Sequence, residues 1–209
     1  EIVVFERGPD VSFANCGLPY YLGETIATRD KLLVTTPERL HERFRLDVRT
    51  RSSVEAIDRV LKTVHVRDLA TGREYVEPYD KLILSPGASP VRPPIPGIDL
   101  PQVFTLRNLQ DVDRIKQVVD AGARRAVMVG AGFIGLELVE NLVHRKVQTT
   151  LIETQPQVLA VLDPEMTTPL QETLVSAGVR VLTSSGVTSI AKVADGLAVT
   201  LPSGEVIPT

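Results

Sequence analysis

The sequence predicts an α/β fold that consists of two similar units in tandem. Three observations support this prediction: a glycine-rich turn between a strand and a helix, a pattern that occurs twice, and a proline-rich segment between its two occurrences. The chain has 209 residues, which is enough for one large domain or two small ones. We predict a first domain over residues 1–107 and a second over residues 108–209.

The glycine-rich turn lies in the stretch RRAVMVGAGFIGLELVENLVHRKVQTTLIE, residues 124–153. Residues 126–129 form a short apolar run that is typical of a buried parallel strand. A GxGxxG pattern, a run with helical periodicity and a second apolar run that ends on Glu153 follow in turn. Strand, glycine turn, helix, strand and acid in this order predict a Rossmann-like, dinucleotide-binding unit, whereas the glycine pattern alone would fit many α/β proteins.

Each glycine of this turn has a distinct expected role. Gly130 permits the tight turn, Gly132 lets the backbone approach a pyrophosphate at the helix N-terminus, and Gly135 lets the helix pack closely on the strand. Glu153 is placed to hydrogen-bond an adenosine ribose, and no Arg or Lys nearby in the sequence would offset its repulsion of a 2′-phosphate. We therefore expect NADH in preference to NADPH, although NADPH stays possible.

A similar pattern occurs near the start of the chain. VFERGPDV at residues 4–11 and LIETQPQV at residues 151–158 each combine an apolar strand, an acid, a proline-containing loop and a valine. A hairpin is then predicted to turn at Thr71–Gly72 in the first half and at Ser203–Gly204 in the second. In the first half, an apolar strand over residues 81–84 comes next. We infer two tandem units, both truncated by the chain ends; the alternative is one natural small α/β domain.

The segment SPVRPPIPGIDLPQVF, residues 89–104, is the predicted connection between the units. Its first eight residues contain four prolines, which exclude a helix and favour an extended backbone. This leaves open whether the connector is structured or flexible. A helix is predicted to resume over residues 108–120, with Leu109, Val112, Ile115 and Val119 on one face.

Composition argues against several classes of function. The net charge is −3, and Lys and Arg do not cluster as they do in nucleic-acid-binding proteins. No apolar run reaches the roughly 18 residues of a membrane span. Three scattered histidines and one cysteine do not form the ligand set of a zinc site. The single cysteine cannot form an internal disulfide, which favours a cytoplasmic location.

The cysteine lies in the stretch SFANCGLPYYLGE, residues 12–24. Together with the two predicted nucleotide units, this stretch resembles the pyridine nucleotide–disulfide oxidoreductases, flavoproteins that pass electrons from NAD(P)H through FAD to a cysteine. The stretch looks like their coenzyme A-disulfide reductase branch, some of whose members are fused to a rhodanese domain. The resemblance implies a partial FAD-binding domain with the redox cysteine over residues 1–107, and an NAD(P)H-binding domain without its last strand over residues 108–209.

The resemblance also implies roles for individual residues. Cys16 matches the redox-active cysteine, and Ser12 and Asn15 match positions near a thiol substrate. The residues that match FAD contacts are Glu6 at the ribose with Arg7 beside it, Val54 at the adenine, and Ser85, Pro86 and Gly87 at the pyrophosphate. The residues that match NAD(P)H contacts are Gly130, Gly132, Phe133, Ile134, Gly135, Glu137 and Glu153. Two positions differ from many relatives, because Pro86 replaces a threonine and Phe133 a tyrosine.

Cys16 has no cysteine partner five residues on, where Tyr21 stands, so its disulfide partner is expected to be external. The resemblance implies that Cys16 forms a mixed disulfide with coenzyme A and that the full-length protein reduces CoA disulfide or CoA persulfide as a homodimer. The alternatives are an NADH oxidase or peroxidase with a Cys16 sulfenic acid, and a non-catalytic nucleotide-binding fragment. If Asn15 caps a helix that begins at Cys16, N–H groups of the first turn favour the thiolate.

Overall fold

The computed structural model describes all residues, 1–209, and shows two compact units. Unit 1 comprises residues 1–14 and 29–88, and unit 2 comprises residues 15–28 and 89–209. Neither unit is continuous in sequence, since the stretch with Cys16 belongs to unit 2. The assignment of residues 1–107 to FAD binding and of residues 108–209 to NAD(P)H binding stays a prediction.

The chain forms thirteen strands and five helices. The strands are β1 (Ile2–Phe5), β2 (Ser12–Phe13), β3 (Leu33–Thr35), β4 (Leu46–Arg49), β5 (Ser52–Asp58), β6 (Thr63–Asp68), β7 (Glu74–Pro78), β8 (Arg125–Val129), β9 (Gln148–Ile152), β10 (Arg180–Leu182), β11 (Ser189–Val193), β12 (Gly196–Thr200) and β13 (Val206–Pro208). The helices are α1 (Leu18–Leu22), α2 (Pro37–Phe44), α3 (Leu109–Asp120), α4 (Phe133–His144) and α5 (Pro164–Ser176).

Unit 1 combines a short parallel pair with an antiparallel meander. Strand β1 pairs with β4 in parallel, and β5, β6 and β7 form a three-stranded antiparallel sheet. Val64 and Val66 of β6 are both buried, as the two-residue period of a strand with one covered face requires. Thr36 caps α2 because its Oγ1 accepts a hydrogen bond from the Arg39 N–H at 3.4 Å, and Pro37 follows as the first helical residue.

Unit 2 has the predicted three-layer arrangement around a parallel sheet of order β10-β9-β8. Adjacent residues of the central strand β9 face opposite sides of this sheet. Leu151 packs in a core with Val139 of α4 and Leu174 of α5, whereas Ile152 packs with residues of the antiparallel β11-β12-β13 meander. Helix α3 begins where the sequence predicts, since the Asn108 Oδ1 accepts a hydrogen bond from the Asp111 N–H at 2.9 Å.

Equivalent backbone hydrogen bonds join the loop after one parallel strand, β1 or β9, to a later part of the chain in both units. They are Ser52 N–H to Glu6 O (3.0 Å) and Arg51 N–H to Gly8 O (3.0 Å) in unit 1, and Ser185 N–H to Glu153 O (2.9 Å) and Ser184 N–H to Gln155 O (2.9 Å) in unit 2. Even the strained residue recurs, with φ of 53° at Arg51 and 50° at Ser184. This recurrence confirms the prediction of two related units.

The hairpin turns of the two meanders are also alike. The Thr71 Oγ1 accepts from the Arg73 N–H, and the Ser203 Oγ accepts from the Glu205 N–H, each at 3.3 Å. The glycine between them has a positive φ in both turns, 76° in unit 1 and 86° in unit 2. A hydroxyl residue followed by glycine is therefore the sequence signature of this turn, as predicted.

The predicted strand over residues 81–84 does not form. Leu82, Ile83 and Leu84 are 39%, 88% and 68% exposed, and none of the five sheets includes them. The apolar pattern is that of a buried strand, but a strand forms only where a neighbour accepts its backbone hydrogen bonds. No strand of the chain pairs with residues 81–84, so this segment has no regular secondary structure.

The proline-rich segment 89–104 contains no helix, as predicted, and hydrogen bonds hold it in place. The Arg92 guanidinium donates to the Asp99 carboxylate at 2.9 Å and to the Ile98 carbonyl at 3.3 Å. The backbone N–H of Ile190 donates to the Pro96 carbonyl at 2.8 Å. The segment is therefore a structured part of unit 2.

None of the five helices combines the length and the apolar character that a membrane crossing requires.

Gly97→Ala should destabilise unit 2 much more than Gly178→Ala. Both glycines have almost the same φ, +86° and +85°, but a Cβ at Gly97 would lie 1.8 Å from the Ile190 carbonyl oxygen, whereas a Cβ at Gly178 has nothing within 4 Å. We expect losses in the free energy of unfolding of about 2–5 kcal/mol and about 1–2 kcal/mol respectively. Urea denaturation measures both, and equal losses would show that the close approach to Ile190 is unimportant.

Candidate functional site

The glycine turn of unit 2 joins strand β8 to helix α4 in the way that the motif predicts. Gly130 has φ of +101°, which a residue with a side chain rarely adopts. A Cβ on Gly135 would lie 2.0 Å from the Gly130 carbonyl oxygen, so the helix can pack this closely on the strand only with glycine there. A Cβ on Gly132 would have nothing within 4 Å. Gly132 is therefore not required by packing within the chain.

The N-terminus of α4 is open to an approaching group. Gly132 is the N-cap and makes no side-chain cap hydrogen bond. The next two side chains, Phe133 and Ile134, are 63% and 58% exposed. An N-terminus without a side-chain cap presents backbone N–H groups and the positive end of the helix dipole, which together bind phosphates.

Glu153 lies beside this turn, directly after β9. One carboxylate oxygen accepts the Ala131 N–H at 2.7 Å, and the other accepts the Gln155 N–H at 2.8 Å and the Thr154 hydroxyl at 3.1 Å. Burial raises the pKa of Glu153, but these hydrogen bonds together outweigh burial and hold the pKa below its ordinary value. A negative charge therefore stands next to the glycine turn at neutral pH.

Glu6 occupies the equivalent place in unit 1. It follows β1, and its carboxylate accepts the N–H of Gly8 at 2.6 Å, as the Glu153 carboxylate accepts that of Gln155. Arg7, the next residue, is exposed. Both units thus hold an acid at the end of a parallel strand by a hydrogen bond to the N–H two residues on.

Cys16 is a free, exposed thiol of unit 2. It lies in a single 3₁₀ turn, Asn15–Gly17, and α1 begins only at Leu18. The expectation that Asn15 caps a helix beginning at Cys16 is therefore wrong. Gly17 holds the N-cap position instead, because Pro19 is placed in the first turn of α1, where the missing N–H of proline costs nothing.

The Asn15 side chain is held by a residue that the sequence did not indicate. Its Oδ1 accepts a hydrogen bond from Arg107 at 3.1 Å. The N–H of Arg107 donates to the buried carboxylate of Asp111 at 2.8 Å. Asn15 and Arg107 are 92 positions apart in the sequence, so no local pattern predicts their contact.

The other predicted site residues lie in three settings. Ser12 is half-buried in β2, and Val54 is 41% exposed in β5. Residues 85–87 are exposed and outside regular structure, with Gly87 at φ of +70°. Glu137 is half-buried in α4, where its carbonyl accepts a hydrogen bond from the Asn141 amide at 2.7 Å.

A surface cavity of about 570 Å³ lies elsewhere on unit 1. Its lining includes Arg49, Arg51, Arg73, Tyr75 and Glu77, and none of the predicted site residues. Arg49 is already engaged, since it binds Asp47 and Glu77 and stacks on Tyr75. No cluster of three or more His, Cys, Asp or Glu side chains that could hold a metal ion occurs in the chain.

The whole chain, residues 1–209, matches the family described as pyridine nucleotide-disulphide oxidoreductase. The chain belongs to this family. A curated relative, coenzyme A disulfide reductase of Staphylococcus aureus, is 40% identical over 175 residues, which are 83% of this chain and 39% of the relative. The chain thus spans about two fifths of the length of that relative.

Three solved structures superpose on the complete chain. Reduced CoADR-RHD from Bacillus anthracis is 45% identical with a TM-score of 0.95, and this chain covers 38% of it. The NAD-dependent persulfide reductase of A. fulgidus is 35% identical with a TM-score of 0.95 and 40% coverage. The water-forming NADH oxidase of Lactobacillus brevis, bound to NADH, is 31% identical with a TM-score of 0.94 and 46% coverage. The predicted family and fold class are confirmed.

The hydrogen bonds of Glu153 give a testable pH dependence. Because its pKa in the folded state lies below the ordinary 4.5, the ionised carboxylate stabilises the fold above that pH, and the contribution is lost as the pH falls through the folded-state pKa. Glu153→Gln should therefore reduce the free energy of unfolding most above about pH 5 and progressively less towards about pH 3. Urea denaturation of the wild type and variant from pH 3 to 7 measures this difference.

The control for this experiment is Glu140→Gln on the exposed face of α4. A difference between wild type and Glu153→Gln that stays constant across the pH range would contradict the role assigned to the carboxylate.

Proposed function

We propose that the full-length protein is a flavoprotein reductase that passes electrons from NADH through FAD to Cys16, and from there to CoA disulfide or CoA persulfide. The observation that carries the proposal is the exposed Cys16, the only cysteine of the chain. The names of the relatives, a coenzyme A disulfide reductase and a persulfide reductase, support these substrates. Residues 1–209 contain no second cysteine that could pair with Cys16, which supports a disulfide partner supplied by the substrate.

The residues of unit 2 fit a nicotinamide dinucleotide. The space around Gly132 and the N-terminus of α4 would receive the pyrophosphate, and the Glu153 carboxylate would accept hydrogen bonds from ribose hydroxyls. Both oxygens of Glu153 already accept backbone N–H groups, so the carboxylate is fixed in orientation before a ligand arrives. Phe133, Ile134 and Glu137 are proposed contacts at the same end of α4.

Glu153 also supports the choice of NADH over NADPH. Its ionised carboxylate would lie against the additional phosphate of NADPH, and the like charges repel. A relative was engineered in the opposite direction, towards NADPH, by changes of charge. The engineered NADPH oxidase derived from the Lactobacillus brevis enzyme carries five substitutions, which include the loss of an aspartate and the gain of two arginines.

Unit 1 fits part of a second dinucleotide site. Glu6 stands at the end of a parallel strand with the same hydrogen bond as Glu153, which suits a second ribose. Arg7, Val54 and residues 85–87 are the further proposed contacts to FAD. When bound, FAD supplies the two-electron relay between nicotinamide and sulfur that no amino acid side chain provides.

Cys16 carries out the sulfur chemistry. Its thiolate attacks one sulfur of the CoA disulfide, the S–S bond breaks, one CoA thiolate leaves, and a Cys16–CoA mixed disulfide forms. Two electrons that originate from NADH then cleave the mixed disulfide, which returns the Cys16 thiolate and releases the second CoA thiol after protonation. Ser12 and Asn15 are the proposed substrate contacts, and the hydrogen bond from Arg107 orients the Asn15 amide.

A second candidate function is the reduction of oxygen or peroxide through a Cys16 sulfenic acid. The similarity to a water-forming NADH oxidase favours it, and an exposed, unpaired cysteine can be oxidised in this way. Steady-state assays of the full-length protein with CoA disulfide, CoA persulfide, oxygen and hydrogen peroxide distinguish the candidates. The acceptor with the highest kcat/KM identifies the function.

We also propose that the full-length protein is cytoplasmic and a homodimer. The free thiol suits a reducing compartment. Cell fractionation tests the location, and sedimentation equilibrium tests the assembly.

Cys16→Ser in the full-length protein should abolish reduction of CoA disulfide but preserve electron transfer from NADH to an artificial dye. The hydroxyl of serine cannot form the mixed disulfide, and we expect kcat to fall by at least about a hundredfold. Dye reduction bypasses the cysteine and serves as the internal control for folding and cofactor content. Disulfide reduction at the wild-type rate would refute the role of Cys16.

Gly132→Ala and Gly135→Ala should separate ligand binding from packing. A methyl group on Gly132 meets no atom of the chain, so we expect only the small loss of stability that alanine causes at an N-cap, but a Kd for NADH raised by about tenfold or more, because the methyl group faces the nucleotide. A methyl group on Gly135 collides with the Gly130 carbonyl and should lower the melting temperature. Calorimetric titration and thermal unfolding give both quantities, and unchanged NADH affinity in Gly132→Ala would contradict the proposed site.

A further inference from the structure

The segment around Cys16 packs against two helices of unit 2, α3 and α4. This segment, residues 15–28, is called the cysteine segment below. Its helix α1 packs on both α3 and α4, and Leu18 and Leu22 of α1 are 3% and 0% exposed. Helix α4 therefore carries the glycine turn at its N-terminus and contacts the cysteine segment as well.

Four charged side chains join the end of the cysteine segment to α3 and α4. Lys116 of α3 lies 3.2 Å from the Glu24 carboxylate and 3.1 Å from that of Asp120. Arg145, which caps the C-terminus of α4, lies 3.4 Å and 2.7 Å from the same two carboxylates. Two cations thus share two anions, and only Glu24 belongs to the cysteine segment. We call these four residues the ionic clamp.

Arg145 also contacts the backbone of α1 directly. Its guanidinium donates a hydrogen bond to the Leu22 carbonyl at 2.9 Å. Leu22 is the last residue of α1, where carbonyl groups have no partner within the helix. The guanidinium can satisfy such a carbonyl and two carboxylates at once because it has five donors in a fixed plane.

A close contact between Gly23 and Asn141 lies next to the clamp. A Cβ on Gly23 would come within 1.8 Å of the Asn141 side-chain oxygen. Asn141 is itself buried and held, since its amide donates to the Glu137 carbonyl of the preceding helical turn at 2.7 Å. The close approach of the cysteine segment to α4 therefore requires glycine at this position.

The segment is fastened on the other side of Cys16 as well, by the hydrogen bond from Arg107 to Asn15. Cys16 lies between this contact and the ionic clamp. The thiol is exposed, but the Asn15 side chain before it and the Leu22 carbonyl after it are held by Arg107 and Arg145 respectively. A thiol that must meet two different reaction partners in turn requires such a fixed position.

The ion pairs of the clamp are expected to add little to the free energy of folding, so stability alone does not account for them. The Glu24 and Asp120 side chains are 58% and 44% exposed, and ion pairs with such exposed partners contribute little to the free energy of folding. The Arg145 and Lys116 side chains, in contrast, are only 16% and 17% exposed, so both cations are held in defined places. The hydrogen bond from Arg145, more than that from Lys116, holds the pKa of Asp120 below its ordinary value.

We propose that Arg145, supported by Lys116, is a positioning residue for Cys16: it holds the end of α1 so that the thiol keeps the geometry that its reaction requires. The inference rests on the proposed function, because it assigns a purpose to the position of a reactive Cys16. It assigns Arg145 no contact with substrate or cofactor.

The test compares Arg145→Ala, Arg145→Lys and the control Arg180→Ala in the full-length protein. Arg180 also belongs to unit 2 and pairs with Glu205 on the surface at 2.7 Å, so its loss removes one arginine and one ion pair at a distance in sequence from the clamp. Hydrogen–deuterium exchange of the amides of residues 17–24, except Pro19, which has none, reports directly on the docking of α1. Steady-state assays with CoA disulfide and with an NADH-dependent dye report on the reaction.

We expect exchange of these amides to become about fivefold faster or more in Arg145→Ala and to stay unchanged in Arg180→Ala. The kcat for CoA disulfide should fall by about tenfold with KM and dye reduction within about twofold, since misplacement of a reacting group lowers the rate of the chemical step. Arg145→Lys keeps the charge and should restore more than half of the lost kcat. If Arg145→Ala does not fold, Asp120→Asn removes one anion of the clamp and is measured in the same way.

Exchange and kcat in Arg145→Ala within experimental error of Arg180→Ala would overturn the proposal. A fall in kcat together with an equal fall in dye reduction would also overturn it, because a general loss of structure would then explain both. The proposed function fails by a different result, namely CoA-disulfide reduction by Cys16→Ser. Exchange in Arg145→Ala still shows in that case whether the clamp holds α1.

Discussion

The close packing of helix α4 on strand β8 is the constraint on which unit 2 depends. It is possible only because Gly135 has no side chain at the point where the Gly130 carbonyl meets the helix. Once the helix is placed, its N-terminus faces the space beside Gly132, and its opposite end brings Asn141 and Arg145 against the cysteine segment. One contact between two glycines therefore helps to position both candidate functional regions of this unit.

The second recurring device is an acid at the end of a parallel strand. Glu6 and Glu153 are ionisable groups near a domain core, and each is kept in place by the N–H group two residues further on. These hydrogen bonds orient both carboxylates, and at Glu153 they also favour the charged form. Carboxylates held in this way suit the ribose contacts proposed above. The repeated hydrogen bonds at Arg51 and Ser184 show that the surrounding loops are built alike. The two units thus hold the acid and the loop that follows it by equivalent hydrogen bonds.

Much of the fold could be predicted because its signals are local. The GxGxxG turn, the helix that starts near Asn108 and the hydroxyl–glycine hairpins each need only a few neighbouring residues, and all are found where the sequence indicates them. Predictions that depend on distant partners were less reliable. The apolar residues 81–84 form no strand without a neighbour, and the helix after Cys16 begins two residues later than expected because Gly17 and Pro19 determine its start. The contacts of Arg107 and Arg145 join residues about a hundred positions apart, so no sequence pattern revealed them.

The ionic clamp combines contacts that respond differently to the solvent. The Glu24 and Asp120 carboxylates are largely open to water, so dissolved ions screen their attraction to Lys116 and Arg145. The hydrogen bond from Arg145 to the Leu22 carbonyl and the fit of Gly23 against Asn141 do not depend on the attraction between opposite charges. The cysteine segment is thus held by a salt-sensitive and a salt-insensitive attachment side by side. As ionic strength rises, the ion pairs weaken, and the hydrogen bond to Leu22 and the close fit of Gly23 against Asn141 contribute a larger share of what holds the segment with Cys16.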